Sequence, residues 1–411
     1  MLAMRLAWRN TLRNRRRTLL TALVIGVGMA ALMFVNGLVE GMKISMIRSA
    51  TQTLLGEAQV HAQGYRLEPD VDLWIPQSDQ VIQAIRKVPE VEAYSPRTLA
   101  QGMLSSAANV SAVQIYGVES ELESRISLLK KALKEGQFLS GQEQEILIGS
   151  ELARDLEVGL GDRMVLTVSQ SIAEGKGELS QDLFRVSGIF DLQSKSMNRG
   201  VVVVNRASLE KALQLKNRVH EIALRFKDPQ YAVNPVARAG LWSEVALTGA
   251  VIEDWSELMP ALNGMIEMSR ASTAIMAFIL FAVISVGVVN SLLMSLYERM
   301  YEFGVLRAIG TRPWGVARMI FMESLCLGAI ALVLGGFLGT LLLLWFGKHG
   351  IPMPSSEYAG TVLREPIKPL MSIFQYTALP ISVLFLTFLA GLYPARVAAR
   401  LNPSQAMRRS L

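Results

Sequence analysis

Four apolar runs constrain this chain more than any other feature: Leu19–Val39, Ile275–Leu293, Ile320–Phe346 and Phe374–Leu392. The first carries no charge. As a helix rising about 1.5 Å per residue it is long enough to cross a hydrocarbon layer about 30 Å thick. A cleaved signal peptide would show a shorter apolar core, usually about 7–15 residues, and a small-residue cleavage site. The run therefore reads as an uncleaved first span. The second run extends at its front as a helix rising from Met259, and Pro380 predicts a kink in the fourth. Apolar residues make up 51% of the 411 and charged residues only 18%, which fits several membrane spans.

Residues 40–270 have a different character. Charges are frequent, and β-branched or alternating stretches recur at Glu57–His61, Val110–Val118, Met164–Val168, Phe184–Ile189, Val201–Val204, Ile222–Phe226 and Val245–Ile252. Helical pieces fall at Asp79–Lys87, Ser120–Glu135, Ser150–Leu156 and Ala207–Leu213. The fold class that follows is an α-helical membrane protein with four transmembrane helices and a large α+β extracytoplasmic domain inserted between helices 1 and 2. Two subdomains are expected, with the ends of the insert, about 45–75 and 220–260, packing as one.

Charge sets the orientation. Residues 1–18 hold six arginines and no acid, and their spacing of Leu2, Leu6, Trp8 and Leu12 suits an amphipathic helix on a membrane surface. The segments 297–318 and 394–411 hold four arginines each. The positive-inside rule puts all three in the cytoplasm, with both termini inside and the insert outside. The insert holds 24 basic and 30 acidic residues, a net −6.

No catalytic apparatus is evident. Gly175-Lys176 and Gly347-Lys348 are followed by glycine and histidine, so neither completes a phosphate-binding loop. His61, His220 and His349 are far apart and lack a metalloprotease frame. Cys326, the one cysteine, lies in an apolar run, and no metal site is expected. Asp254 and Glu257 beside Trp255 read as a solvated face. The spans hold no acid or base at their centres, unlike an ion-coupled carrier. Neither an enzyme nor a nucleic-acid binder is indicated.

The arginine-rich stretch Glu298–Ser324 lies between the second and third runs. Leu296, Val305, Leu306 and Ile309 fall at roughly helical spacing and predict an apolar stripe. Gly310 can end that helix, and Pro313 can open the next. Within it, Glu-Phe-Gly-Val-Leu-Arg-Ala-Ile-Gly (302–310) resembles the cytoplasmic coupling loop of the FtsX-like permeases. Glu298, Arg299, Glu302, Gly304, Leu306, Arg307, Gly310 and Glu323 match the usual form, and Phe303 and Thr311 depart from it. Residues 145–168 resemble part of the family's porter-like subdomain, and Pro394-Ala395 through Pro403 resembles its ending.

The resemblance implies a non-catalytic permease of the bacterial inner membrane. Its layout would be an N-terminal helix 1–18, spans 19–39, 271–296, 319–346 and 374–393, a periplasmic domain 40–270, a coupling loop 297–318, a periplasmic loop 347–373 and a tail 394–411. ATP and Mg would sit on a separate ABC ATPase, in two copies, joined by a second permease copy or a paralogue. Glu298, Arg299, Glu302, Gly304, Val305, Leu306, Arg307, Ala308, Gly310 and Glu323 would couple to that ATPase, with Glu323 near Arg318 or Arg307. The overall plan resembles the lipoprotein-releasing permeases most, implying lipoprotein cargo, membrane lipid and a periplasmic carrier or adaptor as partners. An efflux or peptide-resistance permease, and a signalling permease controlling a cell-wall hydrolase, remain as alternatives.

Two further sets of residues are singled out. Met29, Leu32, Met33 and Val35, with Ile275, Phe278 and Ile279, are candidates to face acyl chains at a lateral opening. Gly328, Ala331, Gly335 and Gly339 share one helix face, suiting either a permease dimer contact or packing within one subunit.

Overall fold

The computed structural model describes residues 15–170, 178–215, 217–228, 231–352, 357–358, 361–362 and 366–400. The expected amphipathic helix at 1–18 falls, up to residue 14, outside them, as does the tail from 401. The elements are α1 (Arg15–Ala50), β1 (Ala58–Ala62), α2 (Ser78–Lys87), β2 (Val91–Ser105), β3 (Val110–Val118), α3 (Ser120–Ile126), β4 (Leu133–Gly136) and β5 (Glu145–Gly149). They continue with α4 (Ser150–Asp155), β6 (Arg163–Ser169), β7 (Leu179–Phe190), α5 (Lys195–Gly200), β8 (Val201–Asn205), α6 (Arg206–Ala212), β9 (Glu221–Phe226), α7 (Pro235–Ala246), β10 (Ala250–Asp254) and α8 (Trp255–Leu258). Then come α9 (Pro260–Glu298), α10 (Met300–Ala308), α11 (Pro313–His349), β11 (Glu357–Tyr358), β12 (Thr361–Val362), α12 (Ile373–Tyr376) and α13 (Ala378–Ala399). Two compact units result: 1–44, 266–353 and 365–411 form one, and 45–265 with 354–364 the other.

The first unit is a bundle. Among the described residues four helical stretches, Thr18–Leu55, Pro260–Glu298, Pro313–His349 and Ile373–Ala399, are long and apolar enough to cross a membrane. Their core joins Ile25, Met29 and Met33 of α1 to Ile284 and Val288 of α9, Leu327, Ala331 and Leu343 of α11, and Val383 of α13. The small residues of α11 set the helix spacing. A Cβ at Gly335 would lie 2.6 Å from the Gly26 carbonyl oxygen, one at Gly339 2.9 Å from Met33 Sδ, and one at Gly328 3.3 Å from Thr387 Oγ1. Backbones this close exclude larger side chains. The face Gly328, Ala331, Gly335 and Gly339 is thus occupied by packing within the subunit, against α1 and α13. Pro380 falls in the first turn of α13, and the fourth helical stretch is interrupted just before it, at Thr377 (φ −117°, ψ −70°), where a proline ring displaces the preceding turn; Pro394 lies inside α13.

The second unit is built on one sheet in the order β10-β1-β9-β2-β3-β8-β5-β7-β4, with β6 pairing both β2 and β7. The second pairing of β6 closes β2, β3, β8, β5, β7 and β6 into a ring around Leu104, Ile115, Ile148, Leu166, Val186 and Val202. Closure leaves no exposed edge in that ring. Of the other strands of this sheet, β4 pairs with β7, and β9, β1 and β10 form an extension with its own core of Val60, Ile85, Leu224, Leu241 and Ile252. Strand β2 serves both: residues Val91 to Arg97 pair with β9, and Thr98 to Ser105 pair with β3.

Two expected elements differ. The helix expected over Ser120–Glu135 stops at Ile126, and Leu133–Gly136 pairs with β7 as a strand. Val245 belongs to α7, opened by Pro235 behind an Asn234 cap, so the strand expected at Val245–Ile252 starts only at Ala250. The helix expected to rise from Met259 into the second run is present, since α9 starts at Pro260, whereas α1 continues well beyond its apolar run, to Ala50.

Candidate functional site

The helix α9 ends at Glu298 because Arg299 leaves helical geometry, at φ −111° and ψ 17°. The nine-residue α10 follows, and Gly310 closes it at φ +98°, a left-handed conformation that glycine adopts without strain. Pro313 then opens α11. Arg299 organises this corner: its Nε donates to Glu302 at 2.9 Å, its guanidinium lies 3.7 Å from the Glu323 carboxylate, and it covers the Phe303 ring at 5.1 Å. Glu323, 6% exposed, also accepts a 3.0 Å bond from Ser295 Oγ. The partner of Glu323 is therefore Arg299, not Arg307 or Arg318. Arg307 is half-buried, and its Nε is enclosed without a hydrogen-bond partner among the described residues.

The apolar stripe differs from the expected one. Phe303 and Gly304 are buried; Phe303 clusters with Leu296, Val316, Ile320 and Ala395, and Leu306 packs against the edge of that cluster. Val305 is exposed and Ile309 is 74% exposed. The expected stripe assumed one helix from Leu296 to Ile309, and the break at Arg299 shifts the phase. What α10 and its flanks present outward is Tyr297, Tyr301, Val305, Ile309 and Trp314, edged by Glu298 and Glu302. The tyrosines and Trp314 had no signal in the sequence beyond their proximity to the loop.

The acyl-facing candidates divide. Met29, Leu32 and Met33 are buried in the helix core, which conflicts with a surface role in this chain, because α1 turns them toward its neighbours. Val35 is half-buried. Ile275, Phe278 and Ile279 are exposed on α9.

A second constellation lies where the two helices bounding the domain join it. After α1 a π-turn, Thr51–Leu55, leads through Gly56 to β1, while β10 leads through α8 to α9. Strands β1 and β10 are antiparallel neighbours with Ala58 opposite Asp254. The Trp255 N–H bonds the Glu57 carbonyl between the two joints. Asp254 is buried and caps α8 in a reciprocal box with Glu257, and it pairs with Arg238; it is no solvated face. Arg66 donates to the Glu257 and Leu258 carbonyls and to Glu253. On the other side Arg97, wholly buried, forks onto Glu123 at 2.9 and 2.7 Å and reaches Glu221 at 2.5 Å and the Leu54 carbonyl at 2.6 Å. Burial opposes the Arg97 charge, but the two carboxylates outweigh it and hold its pKa above the ordinary value. Burial raises Glu221, with Arg97 opposing.

The two histidines that the sequence separates meet here. His61 stacks on Tyr65 at 5.6 Å, and Tyr65 lies 5.9 Å from His220. Burial pushes His61 down to about 4, and lowers His220 as well. At both positions the unfolded chain binds a proton more readily than the folded chain, so stability falls as pH drops through the ordinary histidine range near 6.5. For His61 the loss should reach about 2 kcal/mol by pH 5. Thermal unfolding in detergent between pH 7 and 5 should show this slope, and His61→Gln should flatten it. An unchanged slope would show that His61 is charged in the fold.

Residues 18–236 match the family model of the MacB-like periplasmic core domain, and residues 274–403 that of the FtsX-like permease C-terminal region. The chain belongs to the FtsX-like ABC permeases. Among its relatives is the lipoprotein-releasing system transmembrane protein LolC of Xylella fastidiosa (strain 9a5c), 27% identical over 330 residues and 78% of each chain. LolE of Haemophilus influenzae is 20% identical over 429 residues, 98% of each chain. The macrolide export ATP-binding/permease protein MacB 2 of Aeromonas hydrophila is 26% identical over 435 residues, 99% of this chain and 60% of that one. In this FtsX-like permease, α10 occupies the stretch whose residues carry the resemblance to the family's coupling loop.

Proposed function

We propose that this permease is the non-catalytic membrane subunit of an ATP-driven transporter that extracts lipoproteins from a bacterial inner membrane. ATP and Mg would be bound by an ABC ATPase partner present in two copies, and a second permease copy or paralogue would complete the assembly. Both termini and α10 would face the cytoplasm, and 40–270 the periplasm, with four spans between. Likeness to LolC and LolE along most of the chain supports the lipoprotein reading.

The observation that carries a transmission mechanism is the pair of joints: α1 and α9 lead to and from adjacent strands of one sheet. In this reading Tyr301, Val305, Ile309 and Trp314 dock on the ATPase. Arg299 and Glu323 hold α10 to the bundle, so a push on α10 moves α9 and then the domain. Cargo acyl chains would lie against α9. Of its apolar stretch 11% is buried, against 44, 33 and 39% for the other three, leaving Ile275, Phe278 and Ile279 open.

Affinity purification of the full chain from native membranes in mild detergent, with mass spectrometry of protein and lipid, tests this. A P-loop ATPase and acylated lipoproteins should co-purify. An ATPase accompanied by an adaptor or hydrolase and no lipoprotein would move the assignment to efflux or signalling. Absence of any ATPase, under conditions that keep other complexes intact, would remove its basis.

A further inference from the structure

The end of a helix leaves carbonyls without intrahelical partners. At the exit of α1 the domain supplies those partners. Thr51 O is closed by the turn's own Gly56 N–H, while Gln52 O accepts from the Leu128 N–H, Leu55 O from Gln59 Nε2 and Leu54 O from Arg97. Arg97 differs from the other donors in what stands behind it. It lies on β2 at the register position where that strand leaves β9 for β3, so it belongs to both the extension and the closed ring. Glu221 comes from β9 and Glu123 from α3, and Ser95 Oγ donates to Glu123 at 2.8 Å. One rigid guanidinium fork thus ties the helix exit, β2, β9 and α3 together. A lysine ammonium, a point charge on a flexible stem, cannot repeat that geometry. Buried ion pairs add little net stability over well-packed neutral side chains. A constellation of this kind is better placed to fix geometry than to hold the fold.

We propose that Arg97 is a positioning residue that locks the exit of α1 to the sheet, so that displacement of the helix moves the extension and the ring as one body. The force-transfer half of the proposal rests on the transmission mechanism above; the lock itself does not.

The test uses the full chain with its co-purified ATPase in lipid nanodiscs. Arg97→Met alone would strand two buried carboxylates, so it is combined with Glu123→Gln and Glu221→Gln, which removes the whole charge set. Hydrogen exchange should quicken at the amides of Gly56, Glu57 and Leu128 by roughly tenfold to a hundredfold, the scale of one charge-assisted bond. The amides of Leu147 on β5 and Val203 on β8 should keep their rates. Arg97→Lys should give a smaller change at the same amides. Unchanged exchange at the joint, or an equal rise at both sets, would overturn the lock. Release of a labelled triacylated lipoprotein from proteoliposomes should fall several-fold while ATP hydrolysis continues. Normal release despite a loosened joint would overturn the force transfer. Loss of both hydrolysis and release, with only the joint loosened, would also overturn it, because α10 and the ATPase would then have failed together.

Discussion

Replacing Ile309 with aspartate should detach the ATPase from this permease and leave the permease folded. Ile309 is 74% exposed on the turn that ends α10, among Tyr301, Val305 and Trp314. An apolar residue at the centre of a docking patch contributes about 2 kcal/mol or more, so affinity should fall about thirtyfold. A substitution this exposed changes folding stability by only about 0.5 kcal/mol. Leu306 makes a poorer probe, since it packs against the Phe303 cluster and its loss would mix docking with folding. The measurement is the amount of ATPase retained on immobilised permease, alongside the permease's thermal midpoint. Undiminished retention would remove α10 from the ATPase interface.

Arg97→Ala should be among the most destabilising single changes in the domain. It leaves Glu123 and Glu221 buried without their cation. Breaking a buried pair by removing one partner costs about 3–5 kcal/mol, a large part of the 5–15 kcal/mol that stabilises a typical domain. Adding Glu123→Gln and Glu221→Gln should recover much of that loss, because the penalty comes from the stranded charges. Denaturant unfolding followed by tryptophan fluorescence would compare the variants. A loss below about 1 kcal/mol for Arg97→Ala would mean that water reaches the carboxylates.

These two sites were not equally visible in the sequence. The four long helices announced themselves, since a membrane demands long apolar runs. The loop around Glu302–Gly310 was visible through its charges and glycines, but its orientation was not. Whether Phe303 or Ile309 faces inward depends on one broken helical turn at Arg299. The strand β2 was not recognised because Pro96, Arg97 and Gly102 interrupt any alternation. The reason lies in its two halves, which pair with different partners. Arg97 itself was illegible: its carboxylates sit 26 and 124 residues away in sequence, and nothing local marks the meeting. His61 and His220 stayed apart for the same reason. The glycines of α11 were legible as a packing face, though only the fold shows that α1 and α13 occupy it.

Ala58 and Asp254 sit directly across from one another, so the polypeptide between them departs and returns at a single place. That makes the intervening stretch a cassette. Its interior can be lengthened or trimmed without moving the points at which the chain enters β1 and leaves β10. In the proposed transport mechanism, new cargo would be acquired by altering the cassette alone, while α10 and the ATPase it would meet stay as they are.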